Sequence, residues 1–207
     1  MFVRTTVIQA DPAKIDEGIT VVRENVFRAV SDIDGNVGMS LFVSRETGRC
    51  IACTAWQSEE AMQRSADQVL ALRDQATQAL GATTSEVMQW EVAVVHRDHS
   101  APEGACARIT WLKGDRDSAD RAADVYRMAV LPRIQEFDGF CSASFFVSRD
   151  AGRAVGTLTF DSREALEATR DSSQKIRETA SREIGATIEA VDEMEVAFAH
   201  LHVPEMA

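Results

Sequence analysis

The sequence predicts an α+β protein built from two tandem βαββαβ units. Three observations predict it. First, the chain repeats itself: LFVSRETGR at 41–49 returns as FFVSRDAGR at 145–153. At an offset of 104 residues, roughly 20 of 55 positions from 42 to 96 are identical, with no gap. Two long copies are a duplicated domain rather than a stacked solenoid. Second, each copy carries strand and helix signals in the same order. Third, runs such as GMSLFVS and EVAVV are apolar at nearly every position, which marks strands buried on both faces.

The elements follow in order. Residues 2–9, rich in Val and Thr, read as a strand. Asp11-Pro12 starts a helix, as an N-cap acceptor followed by proline. Ile15, Ile19, Val22, Val26 and Val30 continue it at helical spacing, matched by Ala119, Ala123, Tyr126, Val130 and Ile134. Asp34-Gly35 is a turn. GMSLFVSR and RCIACTAW flank Glu46-Thr47-Gly48 as a hairpin. Ser58 caps a second helix, with Glu59 and Glu60 where carboxylates suit the helix dipole. That helix runs to Leu80 and stops at Gly81. VMQWEVAVVHR is the last strand. This order is the ferredoxin-like split βαβ. Its helices cover one face of the sheet, so each copy needs the other to cover the second face. The domains are expected at 1–97 and 105–207, with the polar segment 98–104 joining them.

The net charge of -11 disfavours nucleic acid and anionic lipid as partners. No apolar run approaches the ~20 residues of a membrane span. The N-terminus lacks the pattern of a signal peptide, so a cytoplasmic protein is expected. Cys50 and Cys53 lie on one predicted strand and so point to opposite faces. Together with Cys106 and Cys141 they are expected as reduced, structural thiols. His96 and His200 end the last strands, followed by His99 and His202. Each group offers only two ligands, so no metal site is expected. Glu91 and Glu195, Asp67 and Asp171, and Glu60 and Glu164 recur. Glu91, on a strand among apolar residues, is the best placed for acid–base work, though a structural role is favoured. Arg45, Arg49, Arg149 and Arg153 flank the hairpin turns and read as solvated.

The turn glycines Gly35 and Gly139, the Ser-Arg hairpins and the junction TAWQSEEAM, repeated as LTFDSREAL, resemble the dimeric α+β barrel superfamily. Within it they resemble the antibiotic biosynthesis monooxygenase type of domain. The resemblance spans both copies and implies an intramolecular dimeric α+β barrel. It implies a small-molecule ligand and no cofactor, because such oxygenases let the anion of a hydroxyaromatic or quinol substrate react directly with dioxygen. It implies Trp56 as a ring-stacking residue and Arg73 as the group that stabilises the anion. Ala52 and Met62 stand where family members carry Asn and Tyr. In the second copy Gly156, Phe160, Leu166 and Arg177 take the corresponding positions. Haem cleavage is not implied, since neither second helix has a histidine and the first strand has no asparagine.

The copies differ where Trp111 replaces Val7, Tyr126 replaces Val22, Phe160 replaces Trp56 and Met194 replaces Trp90. Trp111 and Tyr126 are candidates for lining a ligand pocket, and their bulk leads to the expectation of a single working site in the first copy. Two functional readings stand: an oxygenase, or a non-catalytic ligand-binding or interaction protein on the same scaffold. Further homo-oligomerisation is left open.

Overall fold

The computed structural model describes residues 1–201. Strand β1 (Phe2–Gln9) pairs antiparallel with β3 (Arg49–Trp56), and β3 with β2 (Asn36–Val43). In the second copy β5 (Cys106–Lys113) pairs with β7 (Arg153–Phe160), and β7 with β6 (Phe140–Ser148). Strand β4 (Thr84–Arg97) pairs with β6 from Glu91 on, and β8 (Thr187–Leu201) pairs with β5 up to Glu195. The strand order is that of a closed barrel, β1-β3-β2-β8-β5-β7-β6-β4. The fold is α+β with two βαββαβ copies. The described residues divide into two compact units: residues 1–90 with 196–201, and Glu91–Glu195. Among the described residues no helix is long and apolar enough to cross a membrane.

Each unit has its own apolar core between helices and strands. Ile15, Val22, Leu41 and Leu80 anchor the first, and Val94, Ile134, Phe145 and Val147 the second. The first helix of the first unit opens on a short 3-10 turn, Pro12–Lys14, where the Asp11 carboxylate accepts the Ala13 amide at 3.0 Å. It then departs from the regular helix that the spacing predicts. Between Ile15–Val21 and Phe27–Ser31 lies a π-helical segment, Val22–Val26. The second unit repeats this with Tyr126–Val130. Such segments are rare and concentrate at functional sites. The second residue of each makes the same clamp. Arg23 donates to the Ala197 carbonyl at 2.6 Å, and Arg127 to the Ala93 carbonyl at 2.8 Å.

The repeated motifs have architectural roles. Arg45 pairs with Asp16 and Arg149 with Asp120, each at 2.7 Å, tying hairpin to first helix. Arg149 also holds Glu91 at 2.8 Å, so this carboxylate sits in a half-exposed ion pair. Ser58 and Ser162 cap the second helices, accepting the amides of Ala61 and Ala165 at 3.1 Å. The serine-to-alanine spacing has a second purpose. A Cβ placed on Gly35 would lie 2.6 Å from the Ala61 Cβ, and one on Gly139 would lie 2.7 Å from the Ala165 Cβ. Turn and helix approach more closely than any larger residue allows.

All four cysteines are free thiols. Burial pushes Cys50 up to about 11, so it is no nucleophile at neutral pH.

Candidate functional site

Each unit encloses a cavity between its helices and its strands, and the two are built from equivalent positions. The first is lined by Arg4, Thr6 and Ile8 from β1, Ala52 and Thr54 from β3, and Leu72, Arg73 and Ala76 from the second helix. Val26 of the π-helical segment closes it. The second is lined by Thr110 and Leu112 from β5, Gly156 and Leu158 from β7, and Ser173, Ile176, Arg177 and Ser181 from the second helix. Tyr126 and Val130, the two ends of the π-helical segment, close it. The first cavity measures about 30 Å³ and the second about 60 Å³.

The larger cavity is therefore in the second unit, the reverse of the expectation drawn from side-chain bulk. Trp111 does not line it; its indole N–H donates to the Asp192 carboxylate at 2.7 Å. Tyr126 does line it, but its ring stacks on Phe145 with centroids 4.5 Å apart and forms a wall rather than a plug. Gly156 stands where the first unit has Ala52, which removes a methyl from the floor.

The structure brings together Ala52 and Arg73 in one cavity, and Tyr126, Gly156 and Arg177 in the other. It sets Trp56, Met62 and Phe160 apart from both. Trp56 is fully buried, packs with Met62 and Val69, and donates to Thr54 Oγ1 at 3.1 Å. Phe160 is equally buried beside Cys106 and Leu166. Over each ring lies an arginine of the first strand: Arg4 at 5.8 Å from Trp56, and Arg108 at 6.0 Å from Phe160.

Motif reading did not single out these two arginines, and Arg4 lines the first cavity. Both are almost fully buried, Arg4 at 3 % exposure and Arg108 at 1 %. Each plugs a break in the second helix of its unit. That helix runs as Glu59–Arg64 and Ala66–Ala79 in the first unit, and as Arg163–Ala168 and Arg170–Ile184 in the second. Arg4 donates to the Met62 carbonyl at 2.6 Å and to Ser65 Oγ at 3.2 Å. Arg108 donates to the Leu166 carbonyl at 2.8 Å, to Thr169 at 3.0 Å and to Ser173 at 2.9 Å. The available signal was an arginine inside an apolar strand at the same position of both copies.

Electrostatics separate the units. In the second, Glu193 accepts from Arg108 at 2.8 Å and from Arg170 at 2.6 Å. Burial pushes this carboxyl up, but the two guanidiniums outweigh it and hold it below its usual range. The first unit has Gln89 at the equivalent position. Burial, and then the neighbouring Arg73, hold the Arg4 guanidinium below its usual value. Burial, and then Arg108, do the same to Arg177. Burial also holds the Tyr126 phenol protonated well above its ordinary range.

A prediction follows for Glu193→Gln. Hydrogen bonds to a charged group contribute about 1.5–3 kcal/mol, and the variant loses that much at neutral pH. Because the folded carboxyl is depressed, this contribution is present above the unfolded value of about 4.3 and is lost as pH falls through the folded value. Urea melts at pH 7 and pH 3 check both parts. The difference between wild type and variant should shrink on acidification.

Four buried side-chain polar atoms among the described residues have no hydrogen-bond partner: Arg73 Nε, Tyr126 Oη, Arg177 Nε and Arg177 Nη1. All four belong to residues that line the two cavities.

The sequence pattern of the family described as antibiotic biosynthesis monooxygenase matches residues 1–84. Two uncharacterized proteins of Mycobacterium tuberculosis strain H37Rv are 46% and 45% identical to this chain. Both matches cover 100% of this chain, with 92% and 87% of the two relatives. A solved structure described as an anthrone oxidase-like protein superposes with a TM-score of 0.66 at 16% identity. That match covers 100% of this chain and 95% of that one. At such identity the likeness speaks to the fold alone. The first copy carries the antibiotic biosynthesis monooxygenase domain, and the whole chain belongs to one family with the two mycobacterial proteins.

Proposed function

We propose that the protein binds a hydroxyaromatic or quinol-type compound as its anion in the cavity of the second unit, and oxygenates it with dioxygen. The observation that carries this reading is the convergence of the unpartnered atoms on the cavities. Buried polar groups are nearly always satisfied, so an orphan marks a partner supplied from elsewhere. Arg177 offers two N–H groups and Tyr126 a phenol O–H to one apolar space. That combination suits a flat apolar body ending in one anionic oxygen. Arg177 would hold the oxyanion, and Tyr126, kept neutral, would donate to it. In an anthrone-type reaction the ring CH₂ becomes a carbonyl. One atom of dioxygen enters the product and the other leaves as water, with the substrate anion supplying the electrons. The solved anthrone oxidase-like structure supports this class of substrate.

A second reading is non-catalytic binding of the same anion. It is favoured by the absence of any Asp, Glu, His or Cys from the lining of either cavity. A substrate that ionises only weakly would then lack a base to remove its proton.

The experiment is dioxygen uptake by metal-free protein offered hydroquinones, anthrones and simple phenols, beside calorimetric binding of the same compounds. Arg177→Gln and Tyr126→Phe are each expected to lower kcat/KM or affinity by roughly 10- to 100-fold, the loss of one charge-assisted or buried hydrogen bond. Trp56→Phe should change neither. Saturable binding without uptake establishes the second reading. Compounds that neither bind nor react, across the panel, would sink both.

A further inference from the structure

We propose a second site, unrelated to the cavities: His99, Cys141 and Asp161 form a binding site for one divalent ion of the zinc class, with Asp98 orienting the histidine. The three side chains come from different parts of the second unit. His99 follows β4, Cys141 is the second residue of β6, and Asp161 follows β7. Their ligand atoms all lie within 4.8 Å of one another. His99 Nε2 is 2.7 Å from Asp161 Oδ1, and Cys141 Sγ is 3.2 Å from the same oxygen. Zinc bonds of about 2.0–2.3 Å in a tetrahedron place ligand atoms roughly 3.3–3.7 Å apart. The two contacts to Asp161 need to open by only roughly 0.3–0.6 Å to accept the ion.

Two further observations separate this cluster from a chance meeting of polar residues. The first is the partner of the other ring nitrogen. His99 Nδ1 faces Asp98 Oδ2 at 2.7 Å, which is the carboxylate–histidine–metal arrangement that fixes the tautomer and aims Nε2 at the ion. The second is backbone preorganisation. The amides of Asp98 and His99 both donate to the Cys141 carbonyl, at 2.8 and 3.2 Å, and the Asp161 amide donates to the Gly139 carbonyl at 2.8 Å. The positions are set before any ion arrives.

The donor set, one imidazole, one thiol and one carboxylate, suits zinc and its late transition neighbours rather than magnesium or calcium. Three protein ligands leave one coordination position for water or another oxygen donor. The first unit has Val37 and Gln57 where the second has Cys141 and Asp161, so the stoichiometry is one ion per chain. Binding displaces the thiol proton, so affinity rises with pH.

The test uses the full chain after chelator treatment. Zinc titration by calorimetry should give one saturable site, with proton release and a rise in melting temperature. Cobalt in place of zinc should give a thiolate-to-metal absorption band in the near ultraviolet. His99→Gln, an exposed substitution that leaves the core alone, should weaken zinc by about 100-fold or more and abolish the cobalt band. Asp98→Asn should weaken it by about 10- to 100-fold with the band retained. Cys141→Ser should remove the band whatever else it does. A zinc affinity unchanged in His99→Gln, or no saturable binding in the wild type, would overturn the proposal.

Discussion

Replacing Arg108 by methionine should destabilise the protein by about 2–4 kcal/mol, while the same change at Arg4 should stay within about 1 kcal/mol of the wild type. The two residues occupy equivalent positions and bury to the same degree, at 1 % and 3 % exposure. What differs is the company. Arg108 has a carboxylate at 2.8 Å, and its removal strands Ser173 and unbalances Glu193 against Arg170. Arg4 has a hydroxyl, a carbonyl and the Trp56 ring in place of a carboxylate, and Arg73 beside it disfavours its charge. Removing a buried charge that lacks a counter-charge recovers desolvation free energy and offsets the hydrogen bonds lost. Thermal melts resolve the difference: for a chain of this size about 2–4 °C accompanies each kcal/mol. Equal losses for the two variants would show that the carboxylate is irrelevant. A near-neutral Arg4→Met would also point to a role for Arg4 beyond stability, since it lines the first cavity beside Arg73.

Gly35→Ala and Gly139→Ala should each cost about 2–4 kcal/mol. Two effects combine. Both glycines have positive φ, 80° and 73°, a region that carries a steric penalty for any side chain. The added methyl would also meet the Cβ of Ala61 or Ala165 at 2.6 or 2.7 Å, well inside van der Waals contact. That Cβ sits on a helix backbone and cannot swing away. Gly104→Ala separates the two effects, because φ is 85° there and nothing lies within 4 Å. It should show only the conformational cost. Adding Ala165→Gly to Gly139→Ala should return the steric part and leave the conformational part, a coupling readable in a double-mutant cycle. Absence of coupling would refute the close-contact account.

The strand and helix order was legible because each cue is local. Serine caps at 58 and 162, turn glycines at 35 and 139, and apolar spacing along the first helices each act within a few residues. The candidate site was legible only in part, for three distinct physical reasons. The π-helical segments keep the apolar positions of an ordinary helix, so spacing alone does not reveal them. The break at Ser65 and Thr169 depends on an arginine about sixty residues earlier, which no helix signal encodes. The direction of Trp56 was hidden as well: an aromatic at a strand–helix corner can face a cavity or a satellite core, and the position of Arg4 decides for the core. Arg73 and Arg177 were visible because they recur. Tyr126 was visible because it does not.

The π-helical segments also carry information about history. The two stretches, VRENV and YRMAV, share only Arg and the final Val, yet the backbone irregularity sits at the same register in both. An irregularity acquired twice would have to arise independently at one position in each copy. A single origin before the gene doubled is the simpler account, and it makes the distorted helix older than the protein in its present form. On that account the ancestor was a chain of about half this length, one copy of the repeated unit. Fusion freed the two copies to diverge. One now carries Val22 and Gln89 where the other carries Tyr126 and Glu193, and the two chambers differ in size and charge.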